Sequence, residues 1–394
     1  MTGSLRFPPD TRGEIDPAVC VLAGAAFQLG GMERLTWEVH EALAGALGAS
    51  RVAMGSLVGA DDLGADRREA VAYEGRFPLT LGSKIDFARW VIRQSLAWRS
   101  STMLLCMLVN QAQLAWGARL FGGSRYVVWA HGSEIWSKMD ILPRLALRRA
   151  DLVLCSSDFT RVQVIQRRGV DPAKAHTLHP PVSEPLLRRA SRTRTSPRMT
   201  APVILSVGRI SKGNEYKGFD QVIRVLPMVA ARVPDVRYII VGGGDGLPDL
   251  ARLAASTGVE NRVEFRGPLS DEGVWDAFEE ARVFVLPSRM DLAARTPAGE
   301  GFGIVYAEAA TFARPVVGSI MGGAAEAVED GVTGRNVDPT RLDALAEAIL
   351  GYLESPRRAE SHGVAGRERA LQLFSPQRFQ ANLLANLRRA RLLT

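Results

Sequence analysis

The chain has 394 residues, 46% of them hydrophobic and 23% charged. That is too long for one compact core and too apolar for wholesale disorder, so two or three ordinary globular domains are expected. The net charge of +7 is uneven: residues 1–200 hold 26 Lys and Arg against 18 Asp and Glu, residues 201–356 hold 15 against 22, and residues 357–394 hold 8 against 2.

A basic first half joined to an acidic second half implies different partners for the two. No zinc-finger spacing, RNP motif or basic heptad region is present, so a membrane surface or a phosphate is expected rather than nucleic acid. The first 17 residues carry Arg6, Asp10, Arg12, Glu14 and Asp16 instead of an apolar signal core, which predicts a cytoplasmic chain. Cys20, Cys106 and Cys155 are far apart and odd in number; they suit buried thiols, not a disulfide framework or a zinc site.

In chain order, the first predicted strand is residues 18–23. Gly30 and Gly31 follow it and open a helix, where a bare backbone could approach a phosphate or sugar. Residues 84–99 interleave Phe87, Trp90, Val91 and Trp98 with Arg89, Arg93 and Arg99. Residues 103–109 are the best membrane-span candidate, but Asn110 and Gln111 end the run far short of the roughly 20 residues needed. Residues 126–130 form a strand that ends at His131-Gly132, the one histidine in a crevice-facing setting. Residues 139–149 set Leu142, Leu145 and Ala146 on one helical face with Arg144, Arg148 and Arg149 elsewhere. A strand at 151–155 comes next. Residues 187–200, with five arginines and almost nothing to bury, read as a linker.

The second half repeats the rhythm. Strands are expected at 203–207, 237–241, 262–265, 283–286 and 315–318, with helices at 219–233 and 246–256. Short apolar runs bounded by Gly or Pro fit strands buried on both faces of a parallel sheet, so the fold class is α/β, doubly wound. Arg209 directly follows a strand and Lys217 lies on the loop before a helix; two cations at a strand's carboxyl end would neutralise a diphosphate, with Lys212 the competing lysine. The turn Val241-Gly-Gly-Gly-Asp-Gly246 lacks the third glycine of a dinucleotide fingerprint at position 247. Glu300-Gly-Phe-Gly-Ile-Val-Tyr-Ala-Glu308 is the strongest feature. A Gly-rich turn enters a helix whose first amides, near Gly303 and Ile304, form an anion site. Glu300 and Glu308 can accept from sugar or ribose hydroxyls; the bland alternative is a capping Glu300 and a solvated Glu308. Residues 376–393 form a basic helix.

Taken in order, Val207-Gly-Arg209, Tyr216-Lys-Gly218, the glycine turn, the Glu-x7-Glu segment, Gly322-Gly323 with Glu326, and Asp330-Gly-Val-Thr-Gly334 resemble the carboxyl-terminal domain of retaining GT-B glycosyltransferases of family four. The first half matches through Gly30-Gly31 and His131-Gly-Ser-Glu134. The resemblance covers residues 18–375 and is nearest to bacterial α-mannosyltransferases of the phosphatidylinositol mannosyltransferase branch. It departs from them at Ala309-Ala-Thr-Phe.

The resemblance implies an acceptor-binding Rossmann-like domain at 1–190, a nucleotide-sugar domain at 201–372, and a terminal helix at 373–394 packing back on the first. It implies that Arg209 and Lys217 hold the diphosphate in place of a metal, with amides at Gly303 and Ile304 helping. Glu308 would bind ribose, Glu300 the sugar, and His131 would lie near the sugar C6. Gly30 and Gly31 would pass the phosphates. No cofactor or divalent metal is expected. The expected partners are GDP-mannose, a glycan or lipid-linked acceptor, and an anionic membrane on whose inner face the chain sits peripherally. The alternatives are a UDP-sugar-dependent transferase, a sugar-nucleotide epimerase on the same architecture, and a binding protein with a degenerate site.

Overall fold

The computed structural model describes residues 17–24, 31–57, 84–98, 102–192, 201–294 and 297–393. Their strands form two six-stranded sheets, parallel throughout. The first contains β1 (Val19–Ala23), β2 (Val52–Ser56), β3 (Met103–Cys106), β4 (Tyr126–Ala130), β5 (Leu152–Cys155) and β6 (Ala175–Thr177), in the order β2-β1-β3-β4-β5-β6. The second contains β7 (Val203–Val207), β8 (Arg237–Val241), β9 (Val263–Gly267), β10 (Val283–Val285), β11 (Val316–Ser319) and β12 (Gly334–Val337), in the order β12-β11-β10-β7-β8-β9. This is the doubly wound α/β pair expected of the sequence.

β1 shows why its run is unbroken. Val19, Val21 and Ala23 enter one hydrophobic cluster while Cys20 and Leu22 enter the cluster on the other face. A strand covered on both sides needs apolar residues at every position. The strands without a clear sequence signal include three at sheet edges: β2, β6 and β12. β6 reads Ala-His-Thr and β12 Gly-Arg-Asn-Val, and both are only partly buried. Residues 103–106, weighed from sequence as a membrane span, are instead a fully buried central strand. Among the described residues no helix is long and apolar enough to cross a membrane. The three cysteines are buried and free; burial alone pushes the Cys20 thiol up to about 12, so it is unreactive at neutral pH.

Of the expected linker at 187–200, residues 193–200 lie outside the described residues, and residues 187–192 do not behave as a linker. They end the helix Glu184–Arg192, whose Leu186 and Ala190 are buried in the cluster of the second sheet. Arg189 pairs with Asp276 and Glu279 at 2.8 Å each, on the helix Asp271–Glu280. The arginines are the solvent face of an amphipathic helix, and the chain reaches the second core before them, in residues 178–183. It returns at Phe374, whose carbonyl accepts from the Val182 amide at 2.8 Å. The helix Pro376–Arg389 then lays Phe379, Leu383 and Leu387 into the first unit's core, where Phe379 stacks on Trp129 with ring centroids 5.6 Å apart. The terminal helix therefore crosses back to the first half.

Candidate functional site

The loop after β7 is held from behind by the glycine turn after β8. Gly242 has φ 142°, and a Cβ there would run into the Gly208 carbonyl; one on Gly244 would run into that of Ile210. The Ile210 amide donates to the Gly243 carbonyl at 2.9 Å, and the Gly246 amide to that of Ile210 at 2.9 Å. The triple glycine thus lets two loops touch and sets the path of Arg209. From the other side Arg289 fixes the Lys217 segment: its amide donates to the Tyr216 carbonyl at 2.6 Å and its guanidinium binds both Asp220 oxygens at 3.0 and 3.1 Å.

The two expected cations differ in state. Arg209 is exposed and has no hydrogen-bond or ion-pair partner among the described residues. The Lys217 ammonium is largely buried and pairs with the Glu300 carboxylate. Burial acts to lower the Lys217 pKa, but Glu300 and Tyr216 outweigh it and the net shift is upward, so the amine stays charged. Lys212 is exposed, and its amide is tied to Asp245 at 2.8 Å.

Glu300 lies on a loop squeezed between the two halves. A Cβ on Gly301 would run into the His131 carbonyl. Gly303, at φ 79° in the left-handed region that favours glycine, caps the helix Ile304–Thr311. That helix is anchored by the Tyr306 hydroxyl, which donates to the Leu286 carbonyl at 2.7 Å. Glu308 is not solvated: it is 8% exposed, and its Oε1 accepts from Arg34 Nη1 at 2.9 Å. Burial raises its pKa, opposed by Arg34 and reinforced by Asp271. Arg34 comes from the first helix, Gly31–Leu47. Its one signal in the sequence is its place a turn beyond the glycine pair.

His131 follows β4. Its Nε2 is 3.0 Å from the Met107 carbonyl. A carbonyl only accepts, so Nε2 carries the hydrogen and Nδ1 is left as an acceptor. Burial lowers the pKa against the opposing pulls of Glu134 and the Met107 bond, so the ring is neutral at pH 7. The Glu134 carboxylate binds the amides of His131 and Gly132 at 2.6 and 3.1 Å, and the Ser156 hydroxyl binds the His131 carbonyl at 2.9 Å.

These side chains line one cleft of about 600 Å³ between the sheets. The first half contributes Gly31 and His131, and the second Arg209, Lys217, Glu300, Gly303, Ile304 and Glu308. Gly30 lies outside the described residues. Arg34, Glu38 and Tyr216 also reach the cleft, though sequence reasoning assigned them nothing. Among the described residues no group of three or more His, Cys, Asp or Glu could hold a metal ion. The cleft can therefore offer an anionic ligand three cations, of which Arg34 and Lys217 are paired and Arg209 is not, beside a helix N-terminus and the carboxylates of Glu300 and Glu308.

Residues 188–369 match the family model of glycosyl transferases group 1. A GDP-mannose-dependent α-(1-6)-phosphatidylinositol monomannoside mannosyltransferase of Mycolicibacterium smegmatis is 39% identical over 265 residues, which is 64% of this chain and 67% of the relative. A D-inositol 3-phosphate glycosyltransferase of Mycolicibacterium paratuberculosis is 34% identical over 250 residues, covering 61% of this chain and 53% of the relative. Among solved structures, Anabaena HepE in complex with UDP superposes with a TM-score of 0.75 at 19% identity, covering 94% of this chain and 99% of that one; at that identity it speaks for the fold alone. Identity of 39% across two thirds of a curated relative goes beyond a shared architecture: the chain belongs to the group 1 glycosyl transferases and is a glycosyltransferase of GT-B fold.

Proposed function

We propose that the enzyme transfers mannose from GDP-mannose, with retention, to a lipid-linked acceptor of the phosphatidylinositol mannoside type. Residues 201–372 take the donor, residues 1–190 the acceptor, and the terminal helix at 373–394 ties the two. The observation that carries this reading is the unpaired Arg209 beside the Lys217–Glu300 pair at the cleft, together with the donor and acceptor named for the M. smegmatis relative. Lys217 has three N–H donors, so it can keep Glu300 and still bind a phosphate oxygen. Arg209 then supplies the uncompensated charge that stabilises the departing GDP, work done by a divalent metal in other transferases. Amides at Gly303 and Ile304 add to it, and Gly30 and Gly31 pass the phosphates. Glu308 takes the ribose hydroxyls through lone pairs that Arg34 leaves free, and Glu300 and neutral His131 orient the mannose.

The membrane reading rests on three neighbouring helices of the first half: Lys84–Trp98, Ala112–Gly122 and Ile141–Arg149. They expose Ile85, Leu96, Leu120, Phe121, Ile141 and Leu142. Ala146 and Leu147 of the third are buried while its Leu145 and three arginines face solvent. Exposed apolar side chains beside arginines suit an anionic leaflet, here the inner face of the plasma membrane.

A panel of sugar nucleotides, offered with phosphatidylinositol mannoside and with inositol phosphate, tests the proposal. The expected result is GDP release from GDP-mannose, dependent on the lipid and undiminished by EDTA. Turnover only with a UDP-sugar, only with the soluble acceptor, or only with added magnesium or manganese overturns the corresponding part. An altered sugar still on its nucleotide would instead mark an epimerase.

A further inference from the structure

Glu326 belongs to the second half, on the short helix Ala324–Ala327 after Gly322-Gly323. Its carboxylate nonetheless serves the first half. Oε2 accepts from the Asp158 amide at 2.8 Å and Oε1 from the Phe159 amide at 2.7 Å, at the start of the helix Asp158–Arg168. His179, in the crossing segment, brings its Nε2 to 3.2 Å. A carboxylate on the first amides of a helix is a favourable charge-assisted contact. Here donor and acceptor lie on different halves, so the contact stabilises their relation, not the fold of either.

Both ends of this contact lie next to the cleft. On the first half Ser157 caps the same helix, and its neighbour Ser156 binds the His131 carbonyl at 2.9 Å. On the second half the Gly323 amide donates to the Glu300 carbonyl at 3.1 Å. A Cβ on Gly323 would run into the Gly301 carbonyl and come within 2.8 Å of Ser157 Oγ; one on Gly301 would run into the His131 carbonyl. Backbones from the two halves thus meet without intervening side chains, a few residues from His131 and Glu300. Glu326 carries a charge-assisted contact from one half to the other beside that junction, and it is anchored in turn by Arg369, whose guanidinium binds the Glu326 carbonyl at 3.0 Å.

We propose that Glu326 is a positioning residue: by capping a helix of the first half, it locks the two halves in the register that sets His131 against the Glu300 loop. This rests on the reading of the cleft as the transfer site, but only in its kinetic arm. The test compares Glu326→Ala and Glu326→Gln with the parent chain. Gln166→Cys and Met228→Cys carry spin labels on exposed positions of the two halves; the native cysteines are buried, so labelling is selective.

In Glu326→Ala the inter-label distance distribution should broaden. GDP affinity should stay within about threefold, and kcat should fall roughly 10- to 100-fold, as expected for reacting groups misplaced by about an ångström. Glu326→Gln, which keeps one acceptor oxygen, should recover part of both the distance and kcat. An unchanged distance distribution overturns the proposal whatever the substrate proves to be. So does a loss of GDP affinity as large as the loss in kcat, which would mean a collapsed donor site. A sharpened distribution in the GDP-bound parent that Glu326→Ala cannot reach would confirm it.

Discussion

Arg209 and Lys217 share a loop but not an electrostatic state. The lysine is largely buried and already neutralised by Glu300, whereas the arginine has no partner among the described residues. Arg209→Ala should therefore remove transition-state stabilisation cleanly, lowering kcat by about 30- to 1000-fold, or roughly 2–4 kcal/mol, while Tm stays put. Lys217→Ala should cut turnover as far but also lower Tm, because it strands a buried carboxylate; Glu300→Gln in the same chain should restore much of the Tm. Near-normal kcat in both single variants would remove the diphosphate assignment.

Glu38 gives a pH signature of its own. Burial pushes its carboxyl up to about 7, helped by Glu41 and Glu184 and opposed by Arg34. Unfolded, it titrates near its ordinary 4.5. Between those values the folded state binds the extra proton, so unfolding free energy falls as pH rises through that window. Melting curves from pH 5 to pH 8 should show the parent losing a few degrees more than Glu38→Gln. Parallel curves would show that Glu38 is ionised in the folded chain.

At the scale of elements, the informative helices are those whose apolar residues stay outside. Residues 84–99 and 139–149 have spacing that usually means one core face and one solvated face. The helix Lys84–Trp98 does bury Phe87 and Val91, yet it leaves Ile85 65% exposed; Ile141 is 79% exposed on the third helix. Flotation with anionic vesicles should show binding at low salt that is lost at high salt. Replacing Phe121, Ile141 and Leu142 by serine should abolish it with little effect on Tm, since those side chains contribute nothing to the core. Salt-independent binding, or none at low ionic strength, would dismiss this surface. The same scale explains why residues 187–192 read as linker: Arg188, Arg189 and Arg192 mask a helix whose Leu186 and Ala190 are buried in the second sheet's cluster.

At the scale of the molecule, the sequence by itself determined the two parallel sheets and where their chemistry lies. Buried strands must be apolar on both faces, and a parallel sheet brings all its strand ends to one edge. Hence Arg209, Lys217, Glu300, Glu308 and His131 could be picked out from their positions after strands or at a helix start, and they do line one cleft. Of the edge strands, β9 was legible, whereas Ala175–Thr177 and Gly334–Val337 escaped because such short, half-covered segments carry no periodic signal. What only the tertiary structure decided is how the charges pair. Lys217 binds Glu300 across 83 positions, Glu326 caps Phe159 across 167, and Arg34 meets Glu308 across 274. Local spacing encodes helices and strands because neighbours in sequence share a backbone period. A long-range pairing has no such period; its existence depends on how closely two distant surfaces approach, and where the pairing runs between halves, as for Glu326 and Arg34, bare glycines at Gly301 and Gly323 let the halves come close.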